Sequence, residues 1–473
     1  DAARANVRGI KQAIEWLKKG GVLITFPAGE VAHIDWNTPY VKDTAWSSHI
    51  SSIIMHSKAN VLPVFIQAKN SMIFQLAGLI HPLLRTALIP REMLKKKSKT
   101  INVCIGKPIP FSKISSFRDR KALTDFLYTS SYILKHRTEK KAVSSSVKVF
   151  FNSAISRRKA KQDFEQVAPA EDIELIQSEI AALTPEQCLF CDDAYSVFMA
   201  DAHSIPTILK EIGRLREIAF RAVDEGTGFE RDLDMFDEHY QHLFLWDKIH
   251  KQIVGAYRLG LTDKILKLCG TRGLYTATLF KFKKDFLERI STAIELGRSF
   301  IRPEYQKEYN CLLLLWRGIG KFIAKHPHYR IVFGPVSISK SYHTISKKLM
   351  IYFLKEKKMN KELARYIKPR LPFRGRLPAK LKEAIIKNLV KNIDDVSLLI
   401  SEVENDGKGV PILMRHYLKL NAELLSFNVD PCFSDVVDGL MLCDLLRTDP
   451  KLLLRFIGTD AATEFLKFHK IVS

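Results

Sequence analysis

The sequence predicts an α/β chain of two domains, and three observations carry that prediction. Its 473 residues exceed what a single hydrophobic core ordinarily serves. Its composition, 46% hydrophobic and 26% charged, is globular rather than disordered or fibrous. Short apolar runs of strand character alternate with stretches of helical period, the pattern of sheets layered with helices.

In chain order, Ile10, Ala13, Ile14 and Leu17 recur at helical spacing over residues 7–19, and Gly20-Gly21 ends that helix. Residues 22–26 read as a short buried strand, 61–67 as a second and 100–105 as a third, with helical stretches between them. Pro63, which lacks a ladder donor, suits an edge. From about 138 to 173 the pattern breaks down at Lys140-Lys141, residues 144–146, residues 157–161 and Pro169. The reading is therefore a domain over 1–140, a basic linker over 141–172 and a domain over 173–473. Inside the linker, residues 147–161 are amphipathic and basic, which suits either a membrane surface or a solvated helix. The second domain opens with helices near 173–183 and 208–224. Strands follow at 243–247, 253–259, 294–301 and 331–339, with a helix at 311–325 before the last. Residues 341–425 read mostly helical, and 424–429 reads as a further strand.

A formal net charge of +23 selects partners: nucleic acid, an anionic membrane or an acidic protein. No zinc finger, RNP aromatic motif or basic zipper is present, so nucleic acid is set aside. The longest apolar runs, such as 311–316, are too short to cross a bilayer, and no secretory signal is visible. Membrane association is thus expected to be peripheral. Seven scattered cysteines suit free thiols in a reducing compartment. Cys188 and Cys191 form a lone CxxC with no second pair, so no metal site is expected.

Phe26-Pro27-Ala28-Gly29-Glu30 follows the first expected strand. Small residues there let backbone approach a ligand, and Glu30 accepts hydrogen bonds from hydroxyls or amines; the same residues also suit an ordinary turn. With Leu62-Pro63-Val64, Asn70-Ser71, Pro90-Arg91-Glu92 and residues 105–109, they resemble successive blocks of the PlsC-like lysophospholipid and glycerol-phosphate acyltransferases, over about residues 1–115. The resemblance implies that Phe26, Pro27, Gly29, Glu30 and Pro63 bind a lyso-lipid acceptor. Ala28 stands where that family carries glutamate, with Glu30 as the substitute. The family's catalytic His-x4-Asp block belongs ahead of Phe26, and none precedes it. His242 and Asp247 have that spacing, but on a strand an offset of five points them to opposite faces. The chain is accordingly expected to lack the start of this domain, and the domain to be inactive as given.

The second site begins with Arg214, Arg216 and Phe220 on a helix, followed by an acidic loop with Asp232, Asp234 and Asp237. Strands carrying Gly255 and Arg258, then Glu295, Gly297, Arg298 and Ser299, come next. On a regular strand Glu295, Gly297 and Ser299 share one face, and Leu296, Arg298 and Phe300 the other. The order Arg-x4-Phe helix, acid-rich loop, Val-Gly-x2-Arg-Leu strand and Glu-x2-Arg strand resembles the OlsB-like ornithine-lipid N-acyltransferases. More distantly it resembles the acyl-homoserine-lactone synthases; both are GNAT-like. Residues 315–318, 333–337, 409–411 and 427–431 match further segments, so the likeness covers about 180–460. It implies a GNAT-like mixed sheet flanked by helices, acting on an amine and an acyl thioester.

That chemistry needs deprotonation, positioning and oxyanion stabilisation rather than a covalent nucleophile. Glu295 is the expected base, with Arg298 beside it. Asp234 and Asp237 suit a substrate ammonium. Arg258 and Arg298 suit a carboxylate or phosphate, or else hold the acidic loop in place. Arg216 and Phe220 complete the substrate-binding set. Residues 302–309 lack the glycine-rich pyrophosphate loop of acetyl-CoA-using relatives, which favours acyl carrier protein over CoA as donor; no cofactor is expected to be bound.

The combined expectation is a bifunctional aminolipid enzyme of the ornithine- or glycine-lipid type. It N-acylates an amino acid and, in the full-length protein, O-acylates the lyso-lipid product, peripherally at the cytoplasmic face of a bacterial membrane. The alternatives are a lysophospholipid acyltransferase of phospholipid synthesis, or a haemolysin-like membrane-binding protein with a vestigial acyltransferase fold.

Overall fold

The computed structural model describes residues 2–35, 38–97, 99–138, 164–308, 310–386, 390–433 and 435–470. The basic segment 147–161 lies outside the described residues. The chain divides into two compact units. One comprises residues 1–143, 343–352 and 376–410; the other comprises 144–342, 353–375 and 411–473.

The first unit starts with the helix Ala2–Lys18, as its apolar period predicts. Residues 22–26 form no strand. Val22, Ile24 and Phe26 are exposed, and neither described two-stranded ladder of this unit, His33–Asp35 against Thr38–Lys42 or Val64–Gln67 against Asn102–Ile105, takes them as a neighbour. The strand expected at 61–67 begins only at Val64, because Pro63 has no N–H to give a ladder; Val61 makes an isolated bridge to Ile109. The helix Arg120–Ile133 supplies the core of the unit. It buries Leu123, Phe126 and Leu127 against Ile54, Ile109, Ile114 and Phe117.

The second unit is built on an eight-stranded mixed sheet. In chain order its strands are β1 (Cys188–Cys191), β2 (Tyr195–Asp201), β3 (Gln241–Asp247), β4 (Gln252–Leu261), β5 (Ala293–Ile301), β6 (Ile331–Ile338), β7 (Glu423–Asp430) and β8 (Val436–Asp444). The spatial order is β7-β8-β6-β5-β4-β3-β2-β1. Every neighbouring pair is antiparallel except β5 and β6. The helix Pro206–Arg221 turns Ile208, Ile212, Leu215 and Ala219, a helical stripe, onto Phe244, Trp246 and Phe300. The helix Asn310–Lys325 brings Gly318 so close to β2 that an added Cβ would meet Val197 at 2.5 Å. This is the mixed α/β sheet flanked by helices that the sequence predicts. Among the described residues no helix is long and apolar enough to cross a membrane.

One irregularity positions everything that follows. β5 and β6 pair over only three residues, Ala293 with Ile331 to Glu295 with Phe333, although the strands run nine and eight residues. Their last close approach is at Gly334, where a Cβ would stand 2.1 Å from the Leu296 carbonyl oxygen. Beyond it, the pairing of β5 with β4 shifts register between Gly297 and Phe300, and Arg298 adopts a left-handed φ of 48°. A bulge of this kind bends its strand, and here it takes β5 away from β6.

Candidate active site

Around the bulge lies a set of three arginines and three aspartates, largely buried except for Asp234, whose side chain is a quarter exposed. Arg216, on the inward face of the helix Pro206–Arg221, donates to both carboxylate oxygens of Asp237 at 3.0 and 3.1 Å. Arg258 on β4 lies 3.3 Å from the same carboxylate and donates to Asp234 at 2.5 Å. Arg298 donates to the other oxygen of Asp234 at 3.1 Å, and its Nε stands 3.5 Å from Asp232. Burial pushes Asp237 up, but the charges of Arg216, Arg258 and nearby His242 pull harder and hold it well below the usual carboxylate range. Aromatic rings wall the guanidinium groups. Arg258 lies over Tyr240 at 5.1 Å, and Arg298 over Phe433 at 4.4 Å and Tyr275 at 5.1 Å.

Five residues singled out in the sequence, Arg216, Asp234, Asp237, Arg258 and Arg298, therefore meet in one network. Within it Asp234 and Asp237 are engaged by arginine. Glu295 sits beside the network in a separate pocket of partners: it accepts from the Tyr240 hydroxyl and, at 2.6 Å, from the Thr276 amide. Burial raises its pKa, against these hydrogen bonds. The Tyr240 hydroxyl in turn accepts from the Tyr275 amide at 2.9 Å, so Glu295 holds the loop that carries Tyr275. A regular strand would send Glu295 and Arg298 to opposite faces. The bulge overrides that alternation, and both side chains reach Tyr275-Thr276. His242 and Asp247 do not meet. His242 contacts the Asp237 carbonyl at 2.9 Å, with its pKa lowered by burial to about 4, while Asp247 bonds to His250 and Tyr305.

The parted strands open a cavity of about 160 Å³. Gly297, Arg298 and Ser299 of β5 line one side, and Pro335, Val336 and Ser337 of β6 the other. Phe220 and Tyr275 also border it, as do three carboxyl groups: Asp430 of β7, Asp438 of β8 and Glu225 beyond the helix Pro206–Arg221. Asp438 accepts from Ser337 Oγ at 2.7 Å. Burial pushes Asp438 up to about 7, with the charge of Asp430 adding and Ser337 and Arg298 opposing. Glu225 is likewise raised to about 7 by burial, then by Asp438 and Asp224.

The turn holding Glu225 is itself fixed. Buried Glu217 accepts from the amides of Thr227 and Gly228 at 2.9 and 2.8 Å, and Ser339 Oγ donates to the Val223 carbonyl at 3.0 Å. Sequence reasoning missed Glu225 and Asp438, and marked Ser337 only as part of the matching segment 333–337. The available signal for Asp438 was a lone acid within an apolar run, Val436-Val437-Asp438-Gly439-Leu440-Met441.

In the first unit, Glu30 pairs with Arg85 at 3.0 Å, and Phe26 is exposed. Gly29 takes a left-handed φ of 68° in a turn whose amide bonds to the Phe26 carbonyl. The Pro27 carbonyl accepts from Ser47, and that of Pro63 from Gly106 at 2.8 Å. Among the described residues no group of three or more His, Cys, Asp or Glu side chains is placed to hold a metal ion.

A wedge between two parallel strands, lined by ionisable groups, invites comparison with known proteins. The profile of an acetyltransferase (GNAT) domain matches residues 215–317, which hold the acidic loop, β3, β4 and β5. A glycine N(alpha)-acyltransferase of Bacteroides thetaiotaomicron is 33% identical over 261 residues, 52% of this chain and 76% of that protein. The chain belongs to this family of GNAT-domain N(alpha)-acyltransferases. As a member it is an acyltransferase. An L-ornithine N(alpha)-acyltransferase of Brucella abortus is 28% identical over 177 residues, 33% of this chain and 61% of that protein. Among solved structures, a CoA-dependent acyl-homoserine lactone synthase, MesI, aligns with 59% of this chain and 96% of its own at 11% identity, with a TM-score of 0.26.

Proposed function

We propose that the second unit transfers a fatty acyl group from a thioester to the amine of an amino acid, and that the reaction takes place in the wedge between β5 and β6. The observation that carries the reading is the grouping there of Glu225, Asp430 and Asp438 with the edge of Arg298. An amino acid presents an ammonium and a carboxylate, and this lining offers a partner to each. The ammonium first gives a proton to the Glu225–Asp438 pair, whose pKa values of about 7 suit general-base work near neutrality. The freed amine nitrogen attacks the thioester carbonyl carbon, the C–S bond breaks, and the second nitrogen proton goes to the departing thiolate, which leaves as thiol. Arg298 orients the acceptor carboxylate. Glu295, expected from sequence to be the base, acts in this reading as a positioning residue through Tyr240 and Thr276, and Arg216, Arg258, Asp234 and Asp237 form the rigid floor.

Acyl carrier protein, being acidic, suits the basic chain as donor, with acyl-CoA as the alternative thioester. The N-acyl amino acid is an amphiphile, which fits aminolipid synthesis at the cytoplasmic face of a bacterial membrane. For the full-length protein we propose O-acylation of that lyso-lipid by a PlsC-like domain, to which residues 1–140 contribute Phe26, Pro27, Gly29, Glu30 and Pro63 toward the acceptor. The test supplies purified protein with acyl carrier protein and CoA thioesters of long-chain acids, together with glycine, ornithine and the other amino acids. Thiol release and mass spectrometry read the product. Formation of an N-acyl amino acid is expected; no transfer to any amino acid from either donor refutes the reading.

A further inference from the structure

The first unit carries a surface that the acyl transfer does not use. Three consecutive short helices, Met72–Ile80, Pro82–Ala87 and Ile89–Lys95, turn most of their apolar side chains outward. Met72, Ile73, Leu76, Ile80, Leu83, Met93 and Leu94 are each more than half exposed, whereas Phe74 is buried. Scattered exposed leucines are ordinary on a protein surface; seven large apolar side chains within 23 residues are a patch.

The helices hold together as one face. The Glu92 carboxylate of the third accepts from the Ser71 amide and hydroxyl at 2.7 and 2.6 Å, tying it to the start of the first. Gly78 of the first packs on Arg85 of the second, where a Cβ would meet the arginine Cδ at 3.1 Å.

Apart from Glu30, which pairs with Arg85 of the second helix, the charge on this face is basic. Arg91, Lys95, Lys97 and Lys99 are exposed, and the one acid in residues 72–99, Glu92, is buried under Ser71. A cavity of about 270 Å³ is lined by Lys69, Lys96 and Glu92 together with Phe74, Ile89 and Met93.

We infer that the face formed by these three helices docks on an anionic lipid bilayer. The chemistry on both sides matches: apolar side chains enter the acyl boundary, while the lysines meet lipid phosphates. Helices of six to nine residues are too short to span a membrane, so they lie in its plane. A second copy of the same face would set lysine against lysine, which charge complementarity disfavours. The inference specifies the membrane contact within the proposed function, and its test reads binding apart from catalysis.

The whole chain is sedimented with vesicles of phosphatidylglycerol and phosphatidylcholine, and with phosphatidylcholine vesicles alone. Binding to the anionic vesicles is expected. A Lys95→Ala, Lys97→Ala, Lys99→Ala variant, at about fivefold per basic group near an anionic surface, lowers partitioning about a hundredfold. Leu76→Ser with Leu83→Ser and Leu94→Ser also releases the protein, and both variants keep wild-type circular dichroism and wild-type acyl transfer to soluble substrates. Absence of wild-type binding overturns the inference, as do variants that bind like wild type. A leucine variant that shifts the oligomeric state without lipid overturns it in favour of an interface between copies. Failure of acyl transfer with binding intact strikes the proposed reaction instead.

Discussion

Replacing Asp438 by asparagine separates the cost of its charge from its use. The carboxyl group is buried on β8 and accepts from Ser337, a bond that asparagine can keep through its amide oxygen. Burial raises its pKa from an ordinary 3.8 to about 7. At about 1.4 kcal/mol for each factor of ten, ionising it in the folded protein costs about 4 kcal/mol more than in the unfolded chain. The sign follows from proton counting. Between about pH 4 and pH 7 the folded state holds a proton that the unfolded state has lost, so this group's contribution to stability falls as pH rises through that window and is flat above it. Asparagine removes the slope. In urea unfolding at a series of pH values, Asp438→Asn should exceed wild type by up to about 4 kcal/mol at pH 8, with the two converging toward pH 4. Asparagine also lifts the Asp438 charge from Glu225, whose own ionisation then costs less, so the gain is not reduced by the glutamate that remains. The same variant should lose about 10²–10⁴ of its acyl-transfer rate as a proton acceptor disappears. Parallel stability curves at every pH, or full activity in the variant, would refute the assignment.

Asp237→Asn should destabilise the second unit by about 3–5 kcal/mol in denaturant unfolding at neutral pH, because it strips a charge from buried Arg216 and Arg258. Glu30→Gln, which breaks a partly exposed pair with Arg85, should change stability by less than about 1 kcal/mol in the same assay. Gly334→Ala sets a Cβ against the Leu296 carbonyl, where backbone rather than a flexible side chain must yield. A loss of about 1–3 kcal/mol is expected, together with a lower kcat/KM because the wedge between β5 and β6 changes shape.

Much of the fold was legible because its signals are local. The helix Pro206–Arg221 shows its apolar stripe directly, and β3 to β6 stand between recognisable breaks. β8 was not read. It is buried almost throughout and flanked by β6 and β7, so Val436–Asp444 shows neither the alternation of a half-exposed strand nor a helical period. The short edge strand β1 and its neighbour β2 were also missed. Residues 22–26 failed in the other direction: an apolar run has strand character, but a strand needs a neighbour to pair with. In the site, the arginines and aspartates were visible as residue types in order along the chain. Glu225 and Asp438 were not, because they come to one cavity only through the parting of β5 from β6, which is a tertiary event.

The bulge links the two parts of the site. Arg298 is held at a positive φ, a conformation that costs a non-glycine residue roughly 1–2 kcal/mol. A glycine there would relieve that strain, yet Arg298 is drawn into place by Asp232 and Asp234 and sandwiched between Tyr275 and Phe433. Those contacts anchor the bent strand from within, so the wedge is open before any substrate arrives. Three arginines opposite three aspartates leave the floor near neutrality, and a neutral, rigid floor does not reorganise when a proton moves above it. In the proposed reaction the ionisation that meets the incoming amine is that of Glu225 and Asp438, both raised by burial to about 7.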